Sequence, residues 1–255
     1  MLARYEQVSY ELLRPAQVRS LQEKCPMVYI PTGSLEWHSW QNPLGTDALK
    51  AHAICCEAAL KHGGIVLPPF YQGLIGTHNW GPEGWGGYGL GYNEPEVFEA
   101  VMRGIVRALV FSQWKVIVGV TGHDMIEQWE PMQRAITDET KGTDSTGFAE
   151  MEGALWQRSE ELPFGMDHAA AWETSCMMYA YPDQVDMDEL RTRIVSTGDK
   201  IDLFKPDGKT INHEGIGGPN PLMYASAEMG KRIVERMGDL IGLKARAMLD
   251  GMIAG

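Results

Sequence analysis

A chain of 255 residues, 44% hydrophobic and 22% charged, has enough material for one large α/β domain or two small ones with a proper core. Its formal charge of −12 excludes the basic surfaces that nucleic acid or an anionic membrane would need, so neither is expected as a partner. Four cysteines without CxxC spacing, no apolar run of bilayer length and no signal-peptide core point to a reduced, cytoplasmic protein.

In chain order, Leu12 to Lys24 predicts a short helix and Met27-Val28-Tyr29-Ile30 a short buried strand. That strand runs into Pro31-Thr32-Gly33-Ser34-Leu35-Glu36-Trp37-His38 and on through Gly45-Thr46-Asp47. In an extended segment alternate side chains point the same way, so Glu36 and His38 can face one point in space. Asp47, after a Pro/Gly turn and before a helical pattern, can fold back onto that point. Carboxylate, imidazole and carboxylate are the ligand chemistry of a Zn²⁺ or Mn²⁺ site. The helix that follows presents Leu49, Ala53, Cys56 and Leu60 on one face, with Thr46 as its cap and Gly63-Gly64 as its stop. His52 and His62 are expected to face solvent or the helix C-terminal dipole rather than a ligand.

Ile65 to Phe70 reads as a strand ended by prolines. From Gly73 through Gly91 there are eight glycines together with His78, Trp80, Trp85 and Tyr88. Lacking P-loop and Rossmann spacing, this stretch is no nucleotide cradle; it suits a lid or pocket wall, a linker, or a subunit contact. Asn93 and Pro95 open a helix whose buried face is Val97, Val101, Ile105, Ala108 and Leu109. Trp114 to Val120 is a β-branched run of the kind buried on both faces, ending at Gly122-His123. Strands alternating with helices predict a mostly parallel sheet with helices on its faces. Ligands gather at the carboxyl ends of such strands, where Glu36, His38 and His123 fall. Residues 142–163 fit strand or helix equally. Asp167 to Ser175 begins another helix; if His168 precedes its first turn, His168 and Glu173 can approach one site. Cys176, Met177 and Met178 suit the core, His213 and Glu214 the surface, and Met223 to Met248 is helical. Residues 1–255 are read as a single domain.

With Glu36-x-His38, Gly45-Thr46-Asp47, Gly122-His123 and His168…Glu173-Thr174-Ser175 in this order, the chain resembles the creatininase (creatinine amidohydrolase) family over most of its length. The resemblance implies an α/β fold, a three-layer α/β/α sandwich, and homo-oligomers that are often hexamers. It also implies a centre of two divalent metal ions, Zn and/or Mn. Glu36 and His123 would hold one metal, His38 the other, and Asp47 would bridge them. His168 would serve as the acid at the scissile bond, oriented by Asp167. Trp37, His78, Trp80, Trp85, Tyr88 and Trp172 are the expected substrate-binding residues, although Trp37 and Trp172 suit a core equally well.

The chain departs from creatininase where Met125 replaces a glutamate two residues after the strand-end histidine. A thioether is a poor ligand for a hard divalent ion. Glu173 is the foremost replacement, ahead of Asp124 and Glu127. The implied activity is metal-activated water attack on a ring carbonyl of a small cyclic substrate. The bond cleaved is C–N in a cyclic amide or C–C in a polyhydroxy diketone such as 3-dehydro-scyllo-inosose. The rival expectation is a metal- or sugar-binding protein that performs no catalysis.

Overall fold

The computed structural model describes residues 1–74, 89–91, 94–152, 167–197 and 215–254. The expectations placed on His78, Trp80, Trp85, Tyr88, Asn93, His213 and Glu214 lie outside the described residues. Four parallel strands form one sheet in the order β2-β1-β3-β4: β1 Met27–Thr32, β2 Ile65–Val66, β3 Val116–Thr121 and β4 Thr146–Met151. The order is reached because β1 and β3 are unbroken apolar runs, buried at every position, as a central strand covered on both faces must be. Pro31 is tolerated inside β1 for a local reason. Its carbonyl accepts from Phe70 N (2.9 Å) on the β2 side, so its missing donor would also have pointed there, beyond the two-residue β2.

Alternate side chains of the sheet feed two cores. Met27, Tyr29, Val116, Val118 and Val120 pack under helices α2 (Thr46–His62), α5 (Ala171–Ala180) and α7 (Ala227–Ala254). Val28, Ile30 and Ile117 pack under α3 (Pro95–Phe111) and α4 (Ile126–Thr140). Among the described residues the remaining α-helices are α1 (Pro15–Lys24) and α6 (Met187–Thr197), with a single α-helical turn at Pro221–Tyr224 and short 3-10 helices at Ala3–Gln7, Tyr10–Leu12 and Pro182–Gln184. This is the three-layer α/β/α sandwich. Each fully buried apolar side chain contributes about 1.5–3 kcal/mol, so the two cores are the main source of stability. No helix among the described residues is long and apolar enough to cross a membrane.

Several local expectations are corrected. The α-helix expected from Leu12 begins only at Pro15, whose fixed φ suits a first helical position, and Leu12 ends a separate 3-10 turn. Thr46 does not cap α2; it is the first helical residue and its hydroxyl donates to Pro43 O (2.7 Å). The stop is as expected, with Gly63 at φ 94°. Helix α2 is buried on nearly all sides, because it lies between the sheet and α5 and α7. His52 is therefore internal, 1% exposed, its Nδ1 2.7 Å from the Tyr181 hydroxyl, and burial lowers its pKa to about 4. His62, at the helix end, has its Nε2 2.7 Å from Asp239 Oδ1 on α7. The buried stripe of α3 is rotated by one residue, onto Phe98, Met102, Val106 and Leu109, while Val97 and Ala108 are exposed. The ambiguous stretch begins as β4.

Candidate active site

All the candidate ligands converge at the carboxyl end of β1 and β3. Glu36 and His38 follow β1 in the chain, pinned by Glu36 N donating to Leu44 O (3.0 Å). Asp47 lies in the first turn of α2, where the helix dipole favours a carboxylate. Two glycines let these segments touch. A Cβ on Gly33 would stand 2.2 Å from Ala48 N, and one on Gly122 would stand 2.2 Å from Asp47 O. Beyond β3, the Thr121 hydroxyl donates to His123 O (2.9 Å), accepts from His123 N (3.1 Å) and accepts from Gln128 Nε2 (2.8 Å). That fixes the turn presenting His123.

His168 does precede the first turn of α5, as the spacing requires if it is to meet Glu173. It forms a bridge with Gly217 through N···O contacts of 2.9 and 2.8 Å, and Ala169 turns the chain at φ 54°. The His38 and His168 rings lie 4.6 Å apart. His168 Nε2 is 2.8 Å from Trp37 O; a carbonyl only accepts, so Nε2 carries the hydrogen and Nδ1 is left toward Glu36 Oε1 at 3.7 Å.

Two compact clusters result, each with donor atoms within 4.8 Å of one another: Glu36, Asp47 and His123, and His38, Asp47 and Glu173. Glu36, His38 and His168 form a third. Asp47 belongs to both of the first two, with Oδ2 2.9 Å from His123 Nδ1 and Oδ1 3.0 Å from His38 Nε2. Glu36 Oε1 lies 3.3 Å from His123 Nδ1, and Glu173 Oε2 lies 3.4 Å from His38 Nε2. Of the three residues weighed as substitutes for the missing glutamate, Glu173 alone enters a cluster among the described residues. Glu127 is exposed on α4, and Met125 is that helix's N-cap.

Asp167 is engaged with the backbone of the helix that follows His168. The Asp167 carboxylate accepts from Trp172 N (2.7 Å) and Glu173 N (3.2 Å), so it holds the first turn of α5 and thereby the Glu173 backbone. Burial, then the neighbouring Glu173 charge, pushes Asp167 well above the carboxylate range. Trp172 is 1% exposed in the core, its indole donating to Glu152 Oε1 (2.7 Å). Trp37 is 8% exposed and meets Trp40 edge-on at 4.9 Å.

Sequence reasoning missed Lys50 and Glu152. Lys50 is fully buried on α2, with Nζ 2.5 Å from Glu173 Oε1 and 2.8 Å from Glu152 Oε2. Its place one helical turn after Asp47 was the available signal, since residues three apart share a helix face. Glu152 gave none, lying in the stretch that fitted strand or helix.

The site is acid-rich. Burial alone would lower His38, yet Glu173 and Asp47 hold it well above its ordinary value. Burial likewise opposes the shift of His123, which hydrogen bonds to Asp47 and Glu36 raise from 6.5 to about 10. Burial would raise Asp47, but His38 and His123 hold it well below the carboxylate range. Burial lowers His168, helped by the charge on His38. In chelated protein the raised His123 imidazole contributes stability that is complete below 6.5 and lost as pH rises through about 10. Cations must displace the imidazole protons. Mn²⁺ affinity should therefore increase between about pH 6 and about pH 9, and equilibrium dialysis giving a flat dependence would contradict this assignment.

Comparison with known proteins agrees with this geometry. The family described as creatinine amidohydrolase, creatininase, matches residues 11–242. A creatinine amidohydrolase of Pseudomonas putida is 25% identical over 225 residues, covering 82% of this chain and 84% of its own. A zinc–zinc form of a creatininase variant has a TM-score of 0.69 at 19% identity, over 94% of this chain and 97% of that one. A manganese creatininase also gives 0.69, at 21% identity over 94% and 98%. The protein is thus a metal-dependent hydrolase with an α/β/α fold. It belongs to the creatininase family.

Proposed function

We propose that the chain opens a small cyclic amide by adding water across its carbonyl–nitrogen bond. Glu36, Asp47 and His123 would hold one divalent cation, and His38, Asp47 and Glu173 a second, with zinc or manganese the fitting ions. The observation that carries this reading is the sharing of Asp47 between the two clusters. Nitrogen and carboxylate oxygen are the right donors for these metals. Buried Glu36 Oε2, which has no hydrogen-bond partner among the described residues, also supports it, because such an atom is costly without one. Cations held there would bring the pKa of a water toward neutrality and polarise the substrate carbonyl.

His168 moves the proton. Its Nδ1 takes a proton from the attacking water and returns it to the ring nitrogen as the C–N bond breaks, while the water oxygen stays on the carbonyl carbon. The Trp37 carbonyl holds the ring in the tautomer that leaves Nδ1 basic. Asp167 acts through the backbone, setting the start of α5 so that Glu173 faces His38.

The family and its Pseudomonas putida relative favour nitrogen as the leaving atom. Met125 stands where creatininase has glutamate, so a ring other than creatinine is expected. The test is mass spectrometry of cyclic amides and of diketo-inositols incubated with Mn²⁺-loaded protein, scoring addition of one water. Hydration of a nitrogen ring is the expected result. Opening of a carbocycle would move the leaving atom to carbon, and silence across the panel with metal bound would overturn the hydrolytic assignment.

A further inference from the structure

We infer that Lys50 makes the two cation positions unequal: the one formed by Glu36, Asp47 and His123 fills first and tightly, and the one that includes Glu173 fills second and weakly. This rests on the two-cation reading of the site and concerns what lies behind one of its ligands. Glu173 is already engaged at both oxygens. Its Oε1 is 2.5 Å from the Lys50 ammonium, and its Oε2 accepts from Ala169 N at 2.6 Å. Glu36 is different. Among the described residues its Oε2 is buried without a hydrogen-bond partner, and its Oε1 faces imidazole nitrogens, those of His123 at 3.3 Å, His168 at 3.7 Å and His38 at 3.8 Å.

A carboxylate whose charge is drawn off by an ammonium attracts a cation less, and the ammonium itself repels that cation through a dry interior where screening is weak. Lys50 cannot swing clear to relieve this. It is 1% exposed and is held from its other side by Glu152, which Trp172 fixes in turn. The replacement of the family's glutamate by Met125 leaves Glu173 as the one acid that enters the His38 and Asp47 cluster among the described residues. Lys50 also feels the charge of Asp47, which both positions share, but its direct contact is with Glu173, so the weakening falls more heavily on the second position.

The experiment is equilibrium dialysis of chelated protein against graded free Mn²⁺, with metal analysis and the paramagnetic resonance of bound Mn²⁺ as readouts. Wild type should bind in two steps at least about tenfold apart in affinity, an isolated Mn²⁺ signal giving way to a coupled pair. Glu173→Gln should remove the weak step and Glu36→Gln the tight one. The double variant Lys50→Met with Glu152→Gln removes the buried ion pair as a unit and keeps the acceptor for Trp172. It should bring the second step to within about threefold of the first. Two equal steps in wild type, or a double variant with the gap unchanged, would overturn the role of Lys50 while leaving the two-cation reading intact. Failure of wild type to bind any Mn²⁺ would instead overturn the two-cation reading, and this inference with it. Should the double variant not fold, the wild-type and Glu173→Gln isotherms still decide, since equal steps in wild type refute the inequality by themselves.

Discussion

Asp47→Asn is expected to leave the folded protein without bound divalent metal and to lower turnover more than about 100-fold, because loss of even a supporting partner of a ligand costs roughly 10–100-fold. Asparagine has nearly the same shape and can still accept through one oxygen, so the backbone contact from Ser34 N (3.4 Å) need not be lost. What disappears is the charge common to both clusters and the second acceptor atom, which now face His38 and His123 from opposite oxygens. An amide nitrogen would meet one of those imidazoles instead. Metal analysis and turnover on the same preparation check this, with a thermal melt to establish that the variant is folded. A metal-loaded, active Asp47→Asn protein would refute the assignment of both cation positions.

The pattern of residues carried the architecture further than it carried the wiring. Continuous apolar runs at Met27–Ile30 and Trp114–Val120 declare central strands, and a parallel sheet then dictates where ligands collect. Glu36, His38, Asp47 and His123 were legible because each follows a strand or opens a helix, the places where side chains of a parallel sheet converge. His168 and Glu173 required one further condition, that the histidine precede the helix, and the positive φ of Ala169 supplies it.

Other features depend on tertiary surroundings that no local pattern encodes. His52 looked like a surface residue because its helix was given one apolar face, whereas α7 covers the other side. The role of Asp167 at the start of α5 was not legible either, since a carboxylate just before a helix accepts from backbone N–H groups that only the folded helix presents. The phase of α3 moved by one residue because several neighbouring apolar residues allowed two alternative stripes, and packing against α4 selected Phe98 and Met102. Lys50 is the largest such gap. Lysine in a helix reads as solvent-facing, and only the arrival of Glu152 from just past β4 and Glu173 from α5 makes its burial tolerable.

That burial sets the last expectation. Lys50→Ala should lower the stability of chelated protein by about 3–5 kcal/mol, the usual result of removing one partner from a buried ion pair. The loss comes less from the bonds broken than from what remains: Glu173 and Glu152, both buried, facing each other's charge with no cation between them. Lys50→Met should cost nearly as much, although it fills the space, which separates charge from volume. Adding Glu152→Gln should restore most of the stability, since the pair is then removed together. Mn²⁺ should raise the melting temperature of Lys50→Ala by more than it raises that of wild type, because a cation beside Glu173 supplies the charge that the lysine gave up. Urea unfolding in the presence of chelator measures the first effect and melting with and without Mn²⁺ the second. A loss below about 1 kcal/mol, the range of an exposed ion pair, would mean that water reaches Lys50 and that the triad with Glu173 and Glu152 is solvated.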